Sequence, residues 1–213
     1  DQIGLFANNI EDVAEVLNVI SGKDAYDSTV NQSKPLHLIL SHKEKDTNKY
    51  RVALFKNAMN YPGLDQEIKS SIHQLAKDLK NNGHLVEEID FDLIDFIVPA
   101  YYVLTTAEAS SNLSRYDGIR YGYIAKDQQE DLTTFYKKNR GKGFGKEVKK
   151  RIMLGTFVLS EGYFDAYFTK AQQVRSLLVQ RTKEIFNNFD AVLLPTVPAT
   201  ALEAGAMNKD PIA

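Results

Sequence analysis

Cysteine and tryptophan are both absent from this 213-residue sequence. The first absence excludes disulfides and thiolate metal sites and is compatible with a reducing compartment. No excess of one charge sign is present either: 26 Lys and Arg stand against 28 Asp and Glu, a net charge of −2. That balance gives no global electrostatic reason to bind phosphate backbones, so the chain is not expected to supply the main grip on a nucleic acid. No apolar run reaches about 18 residues, so no membrane span is indicated. The N-terminus shows no basic region followed by an apolar stretch, so no signal peptide is read. Internal repeats and low-complexity segments are lacking too.

What is present suits a globular domain. Hydrophobic residues make up 43%, and aromatics are 11 Tyr and 11 Phe. Such a chain can bury a substantial core, and its length fits one large domain. Asn9 is placed to cap a helix with Glu11 and Asp12 in its first turn, and Gly22 suits its end. Residues 23–50 are polar and read as a surface loop, interrupted by an apolar piece at 36–40. Residues 51–55 form a strand candidate. Leu64, Ile68, Ile72, Leu75 and Leu79 then recur at helical spacing, predicting a helix of about 18 to 20 residues that Gly83 ends. Residues 84–91 alternate as a strand, and 190–194 form a third, stopped by Pro195 and Pro198. Strand, helix, strand favours a crossover onto a parallel sheet. Residues 95–188 read as mostly helical, with the last helix at about 163–189 and Val174, Leu178 and Ile185 on one face. The class is α/β with an open sheet. Strand content is low, so the remaining strands lie outside this sequence or the central helices form a layer of their own.

Several motifs invite chemistry. Thr105-Thr-Ala-Glu-Ala-Ser-Ser-Asn112 carries four hydroxyls, but a serine nucleophile needs a base within hydrogen-bond reach, and no His or Lys lies nearby in sequence. Small residues on a closely packed helix explain the segment better. Gly141-Lys-Gly-Phe-Gly-Lys146 resembles a phosphate loop but lacks the preceding strand and the Gly-Lys-Ser/Thr ending. It reads as a flexible lead-in to a helix starting near Lys146. His37, His42, His73 and His84 show no metal-ligand spacing. Arg151 sits among Lys146, Lys149 and Lys150, which alone would mark a solvated basic face. Val148, Ile152 and Leu159 mark an apolar stripe, and Arg151 lies about 100° from Ile152, near the edge of that buried face. There a guanidinium could clamp a carboxylate through two hydrogen bonds. Tyr101 and Tyr102 follow the helix-perturbing Pro99 and would alone be core aromatics.

Two longer stretches resemble the A subunits of tRNA-dependent amidotransferases, within the amidase-signature family: Glu108-Ala-Ser-Ser-Asn-Leu-Ser-Arg-Tyr-Asp-Gly118, and Glu147-Val-Lys-Lys-Arg-Ile-Met-Leu-Gly155 running on to Gly162-Tyr-Phe-Asp-Ala-Tyr167. Asp1-Gln-Ile-Gly4, Gly22-Lys-Asp-Ala-Tyr-Asp-Ser28 and Leu194-Pro-Thr-Val-Pro-Ala-Thr200 are similar to amidase-signature sequences generally. The resemblance implies an open mixed sheet covered by helices, with residues 1–213 the C-terminal portion of one such domain, truncated at both ends. It implies release of ammonia from glutamine by a serine nucleophile, a second serine and a lysine, all preceding Asp1 in the family's order. No catalytic group is therefore expected in this chain, and the chain alone is expected to be inactive. Arg151 matches the arginine that holds the glutamine α-carboxylate, and Tyr102 matches a tyrosine of the same pocket, with Tyr101 as the alternative. Lys150 stands where an arginine is common, and Leu5 where a proline is usual. No cofactor is expected in this chain. ATP and Mg²⁺ are expected in a partner B subunit, which amidates Glu-tRNA(Gln) or Asp-tRNA(Asn) and makes the main tRNA contacts. A small C subunit is expected to join the two larger ones in the cytoplasm. Two competing readings are a fragment of a free-standing small-amide amidase and a non-catalytic subunit-docking module.

Overall fold

The structure, a computed structural model, describes residues 4–28, 30, 38, 47–125 and 131–201. The opening Asp1-Gln-Ile, most of the apolar piece at 36–40, His37 and His42 lie outside the described residues. The chain divides into two units, Asp1–Asn48 and Lys49–Ala213.

In the first unit, helix α1 runs Ile10–Ile20. Asn9 caps it as expected: its Oδ1 accepts the Asp12 N–H at 2.8 Å, satisfying one of the helix's orphan donors. Asn18 faces the backbone of Leu38 with both ends of its amide. Nδ2 donates to the Leu38 carbonyl at 2.9 Å and Oδ1 accepts the Leu38 N–H at 2.7 Å, copying a strand pairing with a side chain.

The second unit is organised on strand β1, Arg51–Phe55. Val52, Ala53, Leu54 and Phe55 are all buried, as an unbroken apolar run on a central parallel strand requires. After the short α2, Lys56–Met59, helix α3 spans Gln66–Asn81. Asp65 caps α3 by accepting the Glu67 N–H at 2.7 Å. The chain turns at Gly83 into β2, Leu85–Ile89, parallel to β1 with Arg51 opposite Leu85. Strand β3, Ala191–Leu193, joins the other edge of β1, also in parallel, giving the order β2-β1-β3. Asp190 fastens that edge: its carboxylate accepts the Arg51 N–H at 2.7 Å and its own N–H donates to the Arg51 carbonyl at 2.8 Å.

Among the described residues, four α-helices lie between β2 and β3: α4 Ile94–Leu113, α5 Leu132–Gly143, α6 Lys146–Val158 and α7 Lys170–Phe186. The sheet carries apolar clusters on both faces. Val52, Leu54 and Val86 meet Met59 and Ala76, with Ile72 and Leu79 of α3 alongside. Ala53 and Phe55 meet Phe91 and Ile185, with Leu178 of α7 alongside. Phe55 and Phe91 stack with centroids 4.8 Å apart.

Several expectations need correction. Helix α3 has 16 residues rather than about 18 to 20, and its buried face runs through Ala76, leaving Leu75 45% exposed. Pro99 lies inside α4, the sixth of its 20 residues, and the helix runs on past it. Its missing N–H removes one intrahelical bond, and its fixed φ is already helical. Gly141 and Gly143 belong to the end of α5 and not to a flexible lead-in, although α6 does begin at Lys146. The last helix is preceded by a π-helical turn, Asp165–Thr169, which shifts the phase of its faces. With the low strand content goes, among the described residues, a helical layer in which α4 packs on α6 and α7. No helix among the described residues is long and apolar enough to cross a membrane.

Candidate functional site

The hydroxyl-rich segment of α4 faces α6, and its small side chains let the two backbones touch. A Cβ added at Gly155 would lie 2.0 Å from the Thr106 carbonyl oxygen and 2.6 Å from the Ser110 Cβ. Thr156 donates its hydroxyl to the Ile152 carbonyl at 2.8 Å, so across the 3.0 Å contact Ser110 is the donor and Thr156 the acceptor. Thr105 and Thr106 donate to the carbonyls of Tyr101 and Tyr102 at 2.7 and 2.6 Å. These hydroxyl protons go to helix carbonyls or to each other, which is packing chemistry and not activation of a nucleophile.

The same helix pair carries the two candidate substrate-binding residues. Tyr102 lies on α4, one turn before the buried Thr106 that binds its carbonyl. Its ring is 42% exposed and meets Tyr101 edge-on at 5.6 Å. Arg151 lies on α6, one turn before Gly155. Its side chain is 45% exposed, and its Nε donates to Glu147 Oε1 at 3.3 Å. This orients the guanidinium while leaving its two Nη groups for a carboxylate. Both side chains thus stand half-open on adjacent packed helices. Neither lines the apolar cavity of about 270 Å³ between α4 and the start of α7, where Phe96, Pro99, Val103, Tyr167 and Val174 gather with Lys170. Among the described residues no three His, Asp or Glu side chains gather as a metal-ligand set.

The segment after α4 is held by residues that no local pattern singles out. Asn139 of α5 is 2% exposed. Its Oδ1 accepts the Ala125 N–H at 2.7 Å and its Nδ2 donates to the Asp117 carbonyl at 3.0 Å. Gly118, at φ +86°, passes so close that a Cβ would sit 2.2 Å from Asn139 Nδ2. Arg140 Nη1 donates to the carbonyls of Leu113 at 2.7 Å and Tyr116 at 3.2 Å, closing the end of α4. Asp117 accepts the Ile119 N–H at 2.8 Å, and that bond foremost holds its carboxyl below the usual range, with the Arg120 N–H and charge adding to it.

Asp131 caps α5 in the same manner, its carboxyl held low first by the Thr134 hydroxyl and then by the Thr134 N–H. A depressed folded-state pKa means the cap stabilises above the unfolded value and is lost as pH falls through the folded one. The protection of the Thr133 and Thr134 amides, measured as exchange relative to the intrinsic rate at each pH, should therefore fall on acidification. Asp131→Asn keeps an accepting oxygen and should remove that pH dependence. Protection in the variant that still falls over the same acidic range would show that another group controls the start of α5.

Residues 1–213 match the Amidase family, and the chain belongs to it. Over 213 residues it is 46% identical to the A subunit of glutamyl-tRNA(Gln) amidotransferase from Streptococcus gordonii, covering 43% of that protein. To the protein of the same name from Macrococcus caseolyticus it is 46% identical over 214 residues, covering 44%. The chain thus spans less than half the length of these relatives. The crystal structure of the A subunit of glutamyl-tRNA(Gln) amidotransferase from Thermotoga maritima aligns with a TM-score of 0.61 at 31% identity, over 95% of this chain and 38% of that one. A 6-aminohexanoate cyclic dimer hydrolase aligns at 0.56 with 18% identity, over 95% of this chain and 38% of that one, a likeness of fold alone. The architecture is that of the amidase-signature enzymes, α/β with a sheet covered by helices, of which this chain forms a part.

Proposed function

We propose that the protein is part of the glutaminase subunit of a tRNA-dependent amidotransferase. The observation that carries this reading is 44% to 46% identity, along the whole chain, to the bacterial A subunits of that enzyme. In the intact enzyme, glutamine is hydrolysed to glutamate and ammonia. A partner subunit uses the ammonia, with ATP and Mg²⁺, to convert Glu-tRNA(Gln) or Asp-tRNA(Asn) to the amide form. The serine nucleophile, second serine and lysine belong to the part of the fold outside this chain. Arg151 takes the α-carboxylate of glutamine and Tyr102 lines the same pocket. The B and C subunits are the partners, and the assembly is cytoplasmic.

The test is an assay of the intact enzyme, all three subunits together, with ATP, glutamine and misacylated tRNA. Gln-tRNA(Gln) should form with ammonia drawn from glutamine. The 213-residue chain alone should release no ammonia. An intact protein that hydrolyses simple amides equally well without the other subunits, and forms no amidated tRNA with them, would instead be a free-standing amidase.

A further inference from the structure

The near-neutral total charge conceals a separation along the chain. Between residues 115 and 151, eleven Lys and Arg stand against five Asp and Glu, a net +6, while the remaining residues carry 15 against 23, a net −8. These add to the overall −2.

The fold gathers the described residues of this segment into one corner. Asn139 and Arg140 bind the 113–125 stretch to α5. Lys149 Nζ donates to the Gly141 carbonyl, joining the first turn of α6 to the last turn of α5. A Cβ at Gly143 would touch the Tyr123 side chain at 2.9 Å, which brings the far end of the stretch onto α5 as well. The acidic residues described in this corner are already engaged. Asp117 and Asp131 accept backbone N–H groups of their own turns, and Glu147 is shared between Lys150 and Arg151. The cations point outward. Arg115, Arg120, Lys137, Lys142 and Lys146 are exposed, and none forms an ion pair among the described residues. Beside them Tyr121 is 56% and Tyr123 49% exposed, and the Arg115 guanidinium lies 5.9 Å from the Tyr121 ring centroid.

We propose that this corner, formed by the 115–123 loop, residues 137–143 of α5 and the first turn of α6, is an RNA-binding face. Its cations would track phosphates, and its exposed tyrosines would stack on unpaired bases. Phosphate contacts by Lys and Arg supply affinity without sequence preference, and aromatic faces next to them favour a nucleic acid with unpaired bases over a plain polyanion. The inference goes beyond the proposed function, in which a partner subunit amidates the tRNA and this chain makes no assigned contact with it. It borrows from that reading only the choice of tRNA as probe. The assay below measures no amidotransferase chemistry, so its failure leaves the glutaminase reading intact.

The experiment is fluorescence anisotropy of a labelled tRNA transcript titrated with the protein at several salt concentrations between about 50 and 200 mM. Four proteins are compared: the wild type, the triple variant Lys137→Gln, Lys142→Gln, Lys146→Gln, a control with Lys56→Gln, Lys77→Gln, Lys183→Gln, and Tyr121→Ala. All six lysines lack an ion pair among the described residues, so folding should survive, as circular dichroism would check. The first triple variant should bind at least about tenfold more weakly and lower the slope of log affinity against log salt by about two to three. The control should bind like the wild type. Tyr121→Ala should weaken binding while leaving that slope unchanged. The proposal is overturned if the wild type does not bind, or if both triple variants lose affinity equally. It is also overturned if polyglutamate competes as well as unlabelled tRNA, which would mark the face as a site for an acidic protein segment.

Discussion

Gly155→Ala should destabilise the fold by more than about 3 kcal/mol, read as a fall in the urea midpoint at unchanged slope. The added methyl carbon would sit 2.0 Å from the Thr106 carbonyl oxygen and 2.6 Å from both the Thr106 carbonyl carbon and the Ser110 Cβ. Two of those three atoms are backbone, so no side-chain rotation relieves the clash. The helices must separate, and separation exposes Thr106 and Ala107, which are 2% and 1% exposed. It also breaks the Ser110–Thr156 hydrogen bond. The built-in comparison is Gly141→Ala on α5, where nothing lies within 4 Å of the added carbon. There, helix propensity acts alone and alanine should stabilise by about 0.5 to 1 kcal/mol. The same chemical change thus carries opposite signs at two helical glycines. If Gly155→Ala proved as stable as the parent, α4 and α6 would not be in backbone contact, and the geometry given for Tyr102 and Arg151 would fall with it.

Much of the sheet and of α3 is legible in the sequence because local pattern and tertiary role coincide. The apolar run at 52–55 is buried, and Ile72 and Leu79 lie on the face that α3 turns to the sheet. The helical layer is less legible. Helix α4 is apolar on every side, so no periodic stripe announces which residues meet α6, and Phe96, Val98 and Tyr101 remain 52%, 56% and 53% exposed. The π turn before α7 leaves no mark in the apolar spacing. Size alone would put Leu75 on the buried face, whereas the tight seat on the sheet is taken by Ala76.

For the candidate site the division is similar. The small hydroxyl residues of α4 read as packing from sequence alone, since their spacing without a nearby base is a local fact. Arg151 is half-exposed, but the expected stripe of Val148, Ile152 and Leu159 is only partly buried, and the residues that α6 buries are Gly155 and Val158. The proposed role of Arg151, and that of Tyr102, rests on resemblance and not on spacing. Asn139 and Arg140 carry no signal. Their partners lie 14 to 27 residues away in sequence, and an asparagine or arginine near a helix end normally reads as solvated surface. The basic corner disappears when charge is summed over the whole chain, whereas what a polyanion meets is the local field.

Arg151→Lys in the intact enzyme should lower glutamine-dependent kcat/KM by about ten- to hundredfold. The expectation rests on the shape of the guanidinium. Its Nε already donates to Glu147 at 3.3 Å, which sets the plane and leaves the two Nη groups side by side. That edge matches the two oxygens of an α-carboxylate. Lysine keeps the charge but cannot hold Glu147 and two carboxylate oxygens with the same planar fork, so the exchange is not conservative. Loss of a hydrogen bond to a charged group is worth about 1.5 to 3 kcal/mol, which converts to the stated range. Amidation of tRNA driven by added ammonium should be unaffected, because ammonium bypasses the glutamine pocket and needs only the partner subunit. Glu147→Gln should have a smaller effect in the same direction, since an amide still accepts from Nε without the charge. The pair of assays decides the assignment. If Arg151→Lys weakens the glutamine-driven and ammonium-driven reactions equally, Arg151 supports the fold or an intersubunit contact, and the carboxylate must be held by another group.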